Sequence, residues 1–135
     1  SGVSRGLIVN YLKYKAMNAE LARFVKANNP PSHGGLSRSE RLSVRNACRD
    51  ASDLSSLVSA VEADGKGIPV LLKHYLKLNG RILSFNIDKN FGNVLDCLIL
   101  VDLYKSPERS LKRYLGKELV GSLKVQGLLE ASGQQ

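Results

Sequence analysis

The chain has 135 residues, 43% of them hydrophobic and 6% aromatic, with a formal net charge of +8. That length and composition suit one domain with a modest core and exclude wholesale disorder. No run approaches the roughly 18 apolar residues of a membrane-spanning helix.

The charge is uneven. Residues 1–50 carry nine Lys or Arg against three acids, residues 51–103 five against six, and residues 104–135 six against three. The excess on the flanking segments can steer an acidic protein, an anionic lipid surface or nucleic acid phosphate, or simply keep the molecule solvated. Cys48 and Cys97 belong to no CxxC pair and have no histidine at ligand spacing. Neither a metal site nor a disulfide framework is expected, and a reducing cytoplasm fits best, with Cys97 acting as a small hydrophobe.

In chain order, Val3, Leu7, Ile8, Tyr11 and Leu12 fall at helical spacing, which predicts a helix capped by Ser4 and running to about Tyr14. Asn18 caps a second predicted helix over 19–27, with Leu21, Phe24 and Val25 on one side. Residues 28–37, with Pro30 and Pro31, read as a linker; it holds His33, which has no sequence-local partner. Ser37 and Glu40 form a capping-box pattern ahead of a helix reaching Cys48. On it Arg38, Arg41, Arg45 and Arg49 recur at three and four, predicting a solvated basic stripe opposite Leu42 and Ala47. Ser52 then caps a helix whose Leu54, Leu57, Val58 and Val61 form a core face closed by Gly65.

The stretch from Gly65 to Leu103 carries the sharpest pattern. Pro69 suits a helix's first turn, and Ile68, Leu71, Leu72, Tyr75, Leu76 and Leu78 keep helical spacing up to Gly80, a left-handed stop; a helix over roughly 69–79 follows. Beyond it the period changes to two at Ile82, Leu83, Phe85 and Ile87, and a turn at 88–93 leads to the nearly all-apolar run 94–103. That run reads as a strand covered on both faces and paired antiparallel with the first. Ser106 and Pro107 open a further helix with Leu111, Tyr114 and Leu115 inward and a stop at Gly116. A last amphipathic helix carries Leu119, Val120 and Leu123, weakened by Gly121 and Gly127, before a frayed tail from Ala131. The fold class is α+β, several helices packed on an antiparallel strand pair. Its parts are a helical segment at 1–64, a helix-plus-two-strand core at 65–103 and C-terminal helices at 104–135, forming a single domain or the C-terminal part of a longer chain.

Pro69, Leu71, Leu72, Tyr75, Leu76, Leu78, Asp88, Phe91, Val101, Asp102 and Leu103, in IPVLLKHYLKLNGR and FNIDKNFGNVLDCLILVDL, carry a resemblance. They resemble the distal half of an acyltransferase domain of the GNAT superfamily, in the branch related to ornithine-lipid N-acyltransferases and to proteins often labelled hemolysins. The match covers about half the chain, and Asn79 stands where many relatives have glycine. It implies transfer of an acyl group from acyl carrier protein or acyl-CoA to an amine or hydroxyl of a lipid precursor. It also implies a cytoplasmic location beside a bacterial inner membrane and no tightly bound cofactor. In such folds a loop between a strand and a helix holds the donor's pyrophosphate on backbone amides. No GxGxxG or GxxxxGK string is present, and the adjacent Gly34 and Gly35 lie in the linker. The resemblance therefore implies the C-terminal portion of a longer enzyme, inactive alone.

Thioester aminolysis needs a base, donors for the oxyanion and an acid for the leaving thiolate. Under the resemblance Tyr75 is the candidate acid, weighed against an ordinary core tyrosine, and Asp102 a candidate base, weighed against a helix cap. His74 points roughly 100° around the helix from Tyr75 and reads as surface. Lys66, Lys73, Lys77 and Arg81 surround the matched helix, where docking of a carrier protein or other anion is their preferred use. No Ser-His-Asp or HxxxxD constellation exists. Two alternatives stand beside this reading: a noncatalytic interaction domain, and a basic helical nucleic-acid-binding module, which the strand pair and the lack of aromatics among the basic residues disfavour. An exposed strand edge predicts pairing between copies of the chain.

Overall fold

The computed structural model describes residues 1–32 and 36–129, and the first helix, α1 (Gly2–Lys15), is the centre of its packing. His33 and the Gly34–Gly35 pair, like the tail from Ala131, lie outside the described residues. The cap of α1 is Ser1, whose side chain accepts from the Ser4 amide, so Ser4 itself lies one turn inside the helix and is buried. Leu7, Tyr11 and Leu12 are buried as their spacing requires. Asn10 is buried too, and its Nδ2 donates to the Arg41 carbonyl at 3.0 Å, which offsets the cost of enclosing an amide.

The second helix, α2 (Ala19–Ala22), has the expected Asn18 cap but only one turn, instead of reaching residue 27. The reason is a competing use of the backbone. Asn18 N donates to Ile82 O at 3.0 Å, Ile82 N to Ala16 O at 2.8 Å and Ile87 N to Asn29 O at 2.8 Å, so this segment must extend along a sheet edge. Phe24, expected on one helix side with Leu21 and Val25, is consequently 73% exposed.

Helix α3 (Arg38–Ala47) starts with the predicted capping box, Ser37 Oγ accepting from Glu40 N at 3.2 Å and Glu40 Oε2 from Ser37 N at 2.7 Å. Its orientation reverses the expectation. Val44 and Cys48 are buried in the main core, so the flanking Arg41 and Arg45 are half-buried, whereas Leu42 and Ala47 face solvent. The Arg45 guanidinium lies 4.8 Å above the Tyr14 ring of α1, a contact that offsets part of the cost of burying its Nε without a hydrogen-bond partner. Helix α4 (Ala51–Val61) is capped by Asp50, which accepts from Asp53 N at 2.9 Å, instead of by Ser52. Leu54 and Val58 are buried, but Val61 is exposed because the helix ends there.

Helix α5 (Val70–Lys77) sits at the margin of the core. Only Leu72 and Leu76 pack against it; Leu71 is exposed, and no residue of the helix is fully buried. Its stop is also shifted by one residue: Asn79 adopts the left-handed conformation at φ 60°, which asparagine tolerates, and Gly80 N donates to Tyr75 O at 2.8 Å. Gly80 is needed for closeness instead, since a Cβ there would stand 2.6 Å from the Tyr75 carbonyl oxygen.

Strands β1 (Arg81–Asp88) and β2 (Val94–Leu100) form a two-stranded antiparallel sheet, so the chain is an α+β protein with its helices packed on a strand pair. A bulge between Ile82 and Ser84 inserts Leu83, and this lets Ile82 and Phe85, three residues apart, both enter the core. The turn is held by Asp88 Oδ1 accepting from Asn90 N and by positive φ at Gly92 and Asn93. The expectation of a second strand covered on both faces is overturned. Leu95, Cys97 and Ile99 face the core, whereas Val94, Asp96, Leu98 and Leu100 face outward, with Leu98 50% exposed. The strand also ends at Leu100, short of Leu103.

A 3₁₀ turn (Leu103–Lys105) leads to α6 (Glu108–Leu115) and α7 (Lys117–Val125), which form a second, smaller core of Leu111, Val120 and Leu129, with Leu78, Leu115 and Leu123 packed around it. Ser106 does not cap α6. Its hydroxyl donates to Leu78 O at 2.7 Å and so ties this unit to the end of α5. Leu119 and Tyr114, expected inside, are substantially exposed.

Candidate functional site: a basic cleft

A cleft of about 550 Å³ opens where the C-terminal end of α1, the junction of α3 and α4, helix α5 and the start of β1 meet. Five cations line it, Lys15, Arg49, Lys73, Lys77 and Arg81, against one carboxylate, Asp50. Three of the four cations expected to bind anions are thus brought together: Lys73 and Lys77 by their spacing of four on α5, and Arg81 by the short turn through Asn79 and Gly80. Lys66 is not among them; it lies on the loop after α4 with its Nζ 3.0 Å from Asp64.

Two of the cations are anchored. Arg49 Nε meets Asp53 Oδ2 at 3.3 Å, and Arg81 Nη1 donates to the Lys15 carbonyl at 3.2 Å. Lys73 and Lys77 have no carboxylate within ion-pair distance among the described residues. Their charge is unneutralised. The floor carries Tyr11, 5% exposed, whose hydroxyl is held protonated to higher pH than usual by burial and, next, by Asp50. Tyr11 was assigned by its helical spacing to the core, and nothing local in the sequence distinguishes it from Leu7 or Leu12. Asp50 Oδ1 is engaged as the α4 cap, and Asn79 Nδ2 donates to Lys105 O.

Neither candidate catalytic residue reaches this cleft. Tyr75 is partly exposed on α5 but does not line it, and Asp102 caps the 3₁₀ turn, its Oδ1 accepting from Tyr104 N at 3.0 Å. The structure therefore gives Asp102 the capping role that was weighed against a catalytic one. His74 is half-buried instead of free on the surface, its ring 5.4 Å from that of Tyr114. No group of His, Cys, Asp and Glu suited to a metal ion occurs among the described residues.

The two thiols offer no nucleophile at neutral pH. Burial and then Asp96 push Cys97 from its ordinary 9.0 up to about 11, and burial, followed by Asp53 and Asp50, raises Cys48. A thiol whose folded-state value is raised stabilises the fold below its unfolded value and loses that contribution as pH climbs through the folded one, so stability should fall between about pH 9 and 11. Native protein at pH 8 should resist iodoacetamide at both cysteines and be alkylated at both in urea. Rapid native labelling of Cys97, read by mass spectrometry, would contradict the burial described here.

Comparison of the chain with protein-family models, with curated proteins and with solved structures finds no match. In the described residues, no helix is long and apolar enough to cross a membrane.

Proposed function

We propose that this chain is the anion-recognising part of an acyltransferase that accepts an acyl group from acyl carrier protein or acyl-CoA and passes it to an amine or hydroxyl of a lipid precursor. One observation carries the docking half of this reading: Lys73, Lys77 and Arg81 converge with Lys15 and Arg49 on one concave surface. Carrier proteins and acyl-CoA are both anionic, and a cluster of cations accelerates their encounter and orients them. The transfer half rests on the resemblance in residues 69–103 and on its Tyr75, which lies outside the cleft. On this reading the protein works in the cytoplasm, peripheral to the inner membrane, where the basic flanking segments also meet anionic lipid.

A noncatalytic interaction domain is the second reading, favoured by the absence of Tyr75 and Asp102 from the cleft lining. The nucleic-acid reading has only part of its arginine stripe open to solvent: Arg38 and Arg49 are exposed, whereas Arg45 lies over the Tyr14 ring and Arg41 Nη1 donates to Leu36 O. Titration with acyl carrier protein and with a DNA duplex, each at low and moderate salt, separates these readings. Carrier binding that weakens with salt yet exceeds DNA binding is expected; preference for the duplex would sink the proposal.

A further inference from the structure

We infer that the open edge of β2 is a pairing surface for a second copy of this chain, joined antiparallel with the two Cys97 residues opposite each other. Backbone directions identify the edge. Ile82 N donates to Ala16 O, Asn18 N to Ile82 O and Ile87 N to Asn29 O, so Ile82 and Ile87 turn polar groups away from β2. Their cross-strand partners Ile99 and Leu95 must then turn theirs away from β1, and Cys97, midway between, does the same. Ala16, Asn18 and Asn29 thus occupy the outer edge of β1, whereas among the described residues no hydrogen bond covers the outer edge of β2. Three alternate residues present donors and acceptors to a further strand.

One register uses all three. With Cys97 on the twofold axis, Leu95 of each copy meets Ile99 of the other, and the exposed Val94 and Leu100 become apolar neighbours on the outer face. An axis at Asp96 would set two carboxylates face to face, and one at Leu98 would carry Leu95 past the end of the strand. Charge selects the occupant. In a chain of net charge +8, β2 holds no cation and one acid, so a polyanion gains nothing here, while two copies meet along an element free of like positive charge. The ends are complementary too: Arg5 Nη2 donates to Asn93 O at 2.9 Å, and Asn93 falls opposite Val101 of the other copy, next to its Asp102. Neither Arg5 nor Asp102 forms an ion pair within one copy among the described residues.

Sedimentation equilibrium should show a dimer whose population rises with protein concentration, and hydrogen exchange followed by NMR reads the edge residue by residue. The amides of Leu95, Cys97 and Ile99 should exchange at least tenfold more slowly at high concentration than at low, whereas those of Asp96 and Leu98, already bonded to β1, should not change. Substitution then tests the register. Leu98 faces Asp96 of the other copy in a non-hydrogen-bonded pair, where side chains approach most closely, and this occurs twice per dimer. Leu98→Glu should therefore weaken association about tenfold and Leu98→Lys should strengthen it. Net charge alone predicts the reverse order, since Lys adds to the +8 and Glu subtracts from it. The position is 50% exposed, and circular dichroism checks that both variants keep the fold. Adding Asp96→Lys to Leu98→Glu restores opposite charges across the axis and should recover the lost affinity.

A chain that stays monomeric at high concentration, with those three amides exchanging at one rate throughout, overturns the inference and leaves the edge to a strand from another protein. A dimer that Leu98→Glu and Leu98→Lys weaken equally, or whose newly protected amides lie outside β2, overturns it as well, because another surface then holds the copies together.

Discussion

An Ile82→Ala protein is expected to lose about 2–5 kcal/mol of stability, the range for truncating a fully buried aliphatic side chain. Ile82 is 0% exposed and stands at the joint of the molecule. It is the first inward residue of β1, it precedes the bulge, and its backbone exchanges hydrogen bonds with Ala16 and Asn18. Those bonds survive the substitution, so the loss comes from the cavity left among the side chains of the main core. In urea the midpoint should fall with an unchanged slope. Leu98→Ala is the companion measurement, because Leu98 lies on the outer face of β2 at 50% exposure and should cost under about 1 kcal/mol. Equal losses at the two positions would mean that the outer face is covered in solution, and the edge of β2 would then be the place to seek a second copy.

The contrast between these two residues also shows what the sequence could and could not disclose. Both are aliphatic in β-rich runs, and a near-continuous apolar string at 94–103 suggested burial on both faces. Asp96 in the middle of that string marks the open face, and its weight was lost against nine neighbours of which most are apolar. Helix starts were legible where a side chain and an amide sit three residues apart, as at Asn18 and Ser37, since that chemistry is wholly local. Ser4 and Ser52 were each displaced by a better-placed neighbour, Ser1 and Asp50, because several polar residues competed for one cap.

Tertiary demands were harder to foresee. Residues 23–27 had helical spacing, but the edge of β1 needed hydrogen-bond partners, and a single turn of helix was kept. Arg41 and Arg45 of α3 lost their solvated place because Val44 and Cys48, which share their face, had a core to enter. Within the cleft, Lys73, Lys77 and Arg81 were within reach because they are close in sequence. Lys15, Arg49 and Tyr11 were not, since only the packing of α1 against the α3–α4 junction brings them to the same opening. Asn79 sits between the two cases: its departure from glycine was visible, and its φ of 60° shows that it performs the turn glycine would.

A Lys73→Glu/Lys77→Glu protein should lose binding of acyl carrier protein by at least tenfold in low salt, with the deficit shrinking as salt rises. The change takes the cleft from five cations against one carboxylate to three against three, so the local field collapses while the fold is spared. No residue of α5 is fully buried, and among the described residues neither lysine holds an ion pair that the substitution would break. Screening supplies the second reading of the same experiment. The Debye length shortens from about 30 Å at 0.01 M salt to about 10 Å at 0.1 M, so a field effect fades across that span, whereas a lost direct contact persists. Lys66→Glu/Lys89→Glu makes the same change in net charge away from the cleft and should reduce binding far less. If the two double reversals weaken the carrier equally at every salt concentration, overall charge and not the convergence of side chains at this opening governs the encounter, and the cleft loses its claim to be the docking site.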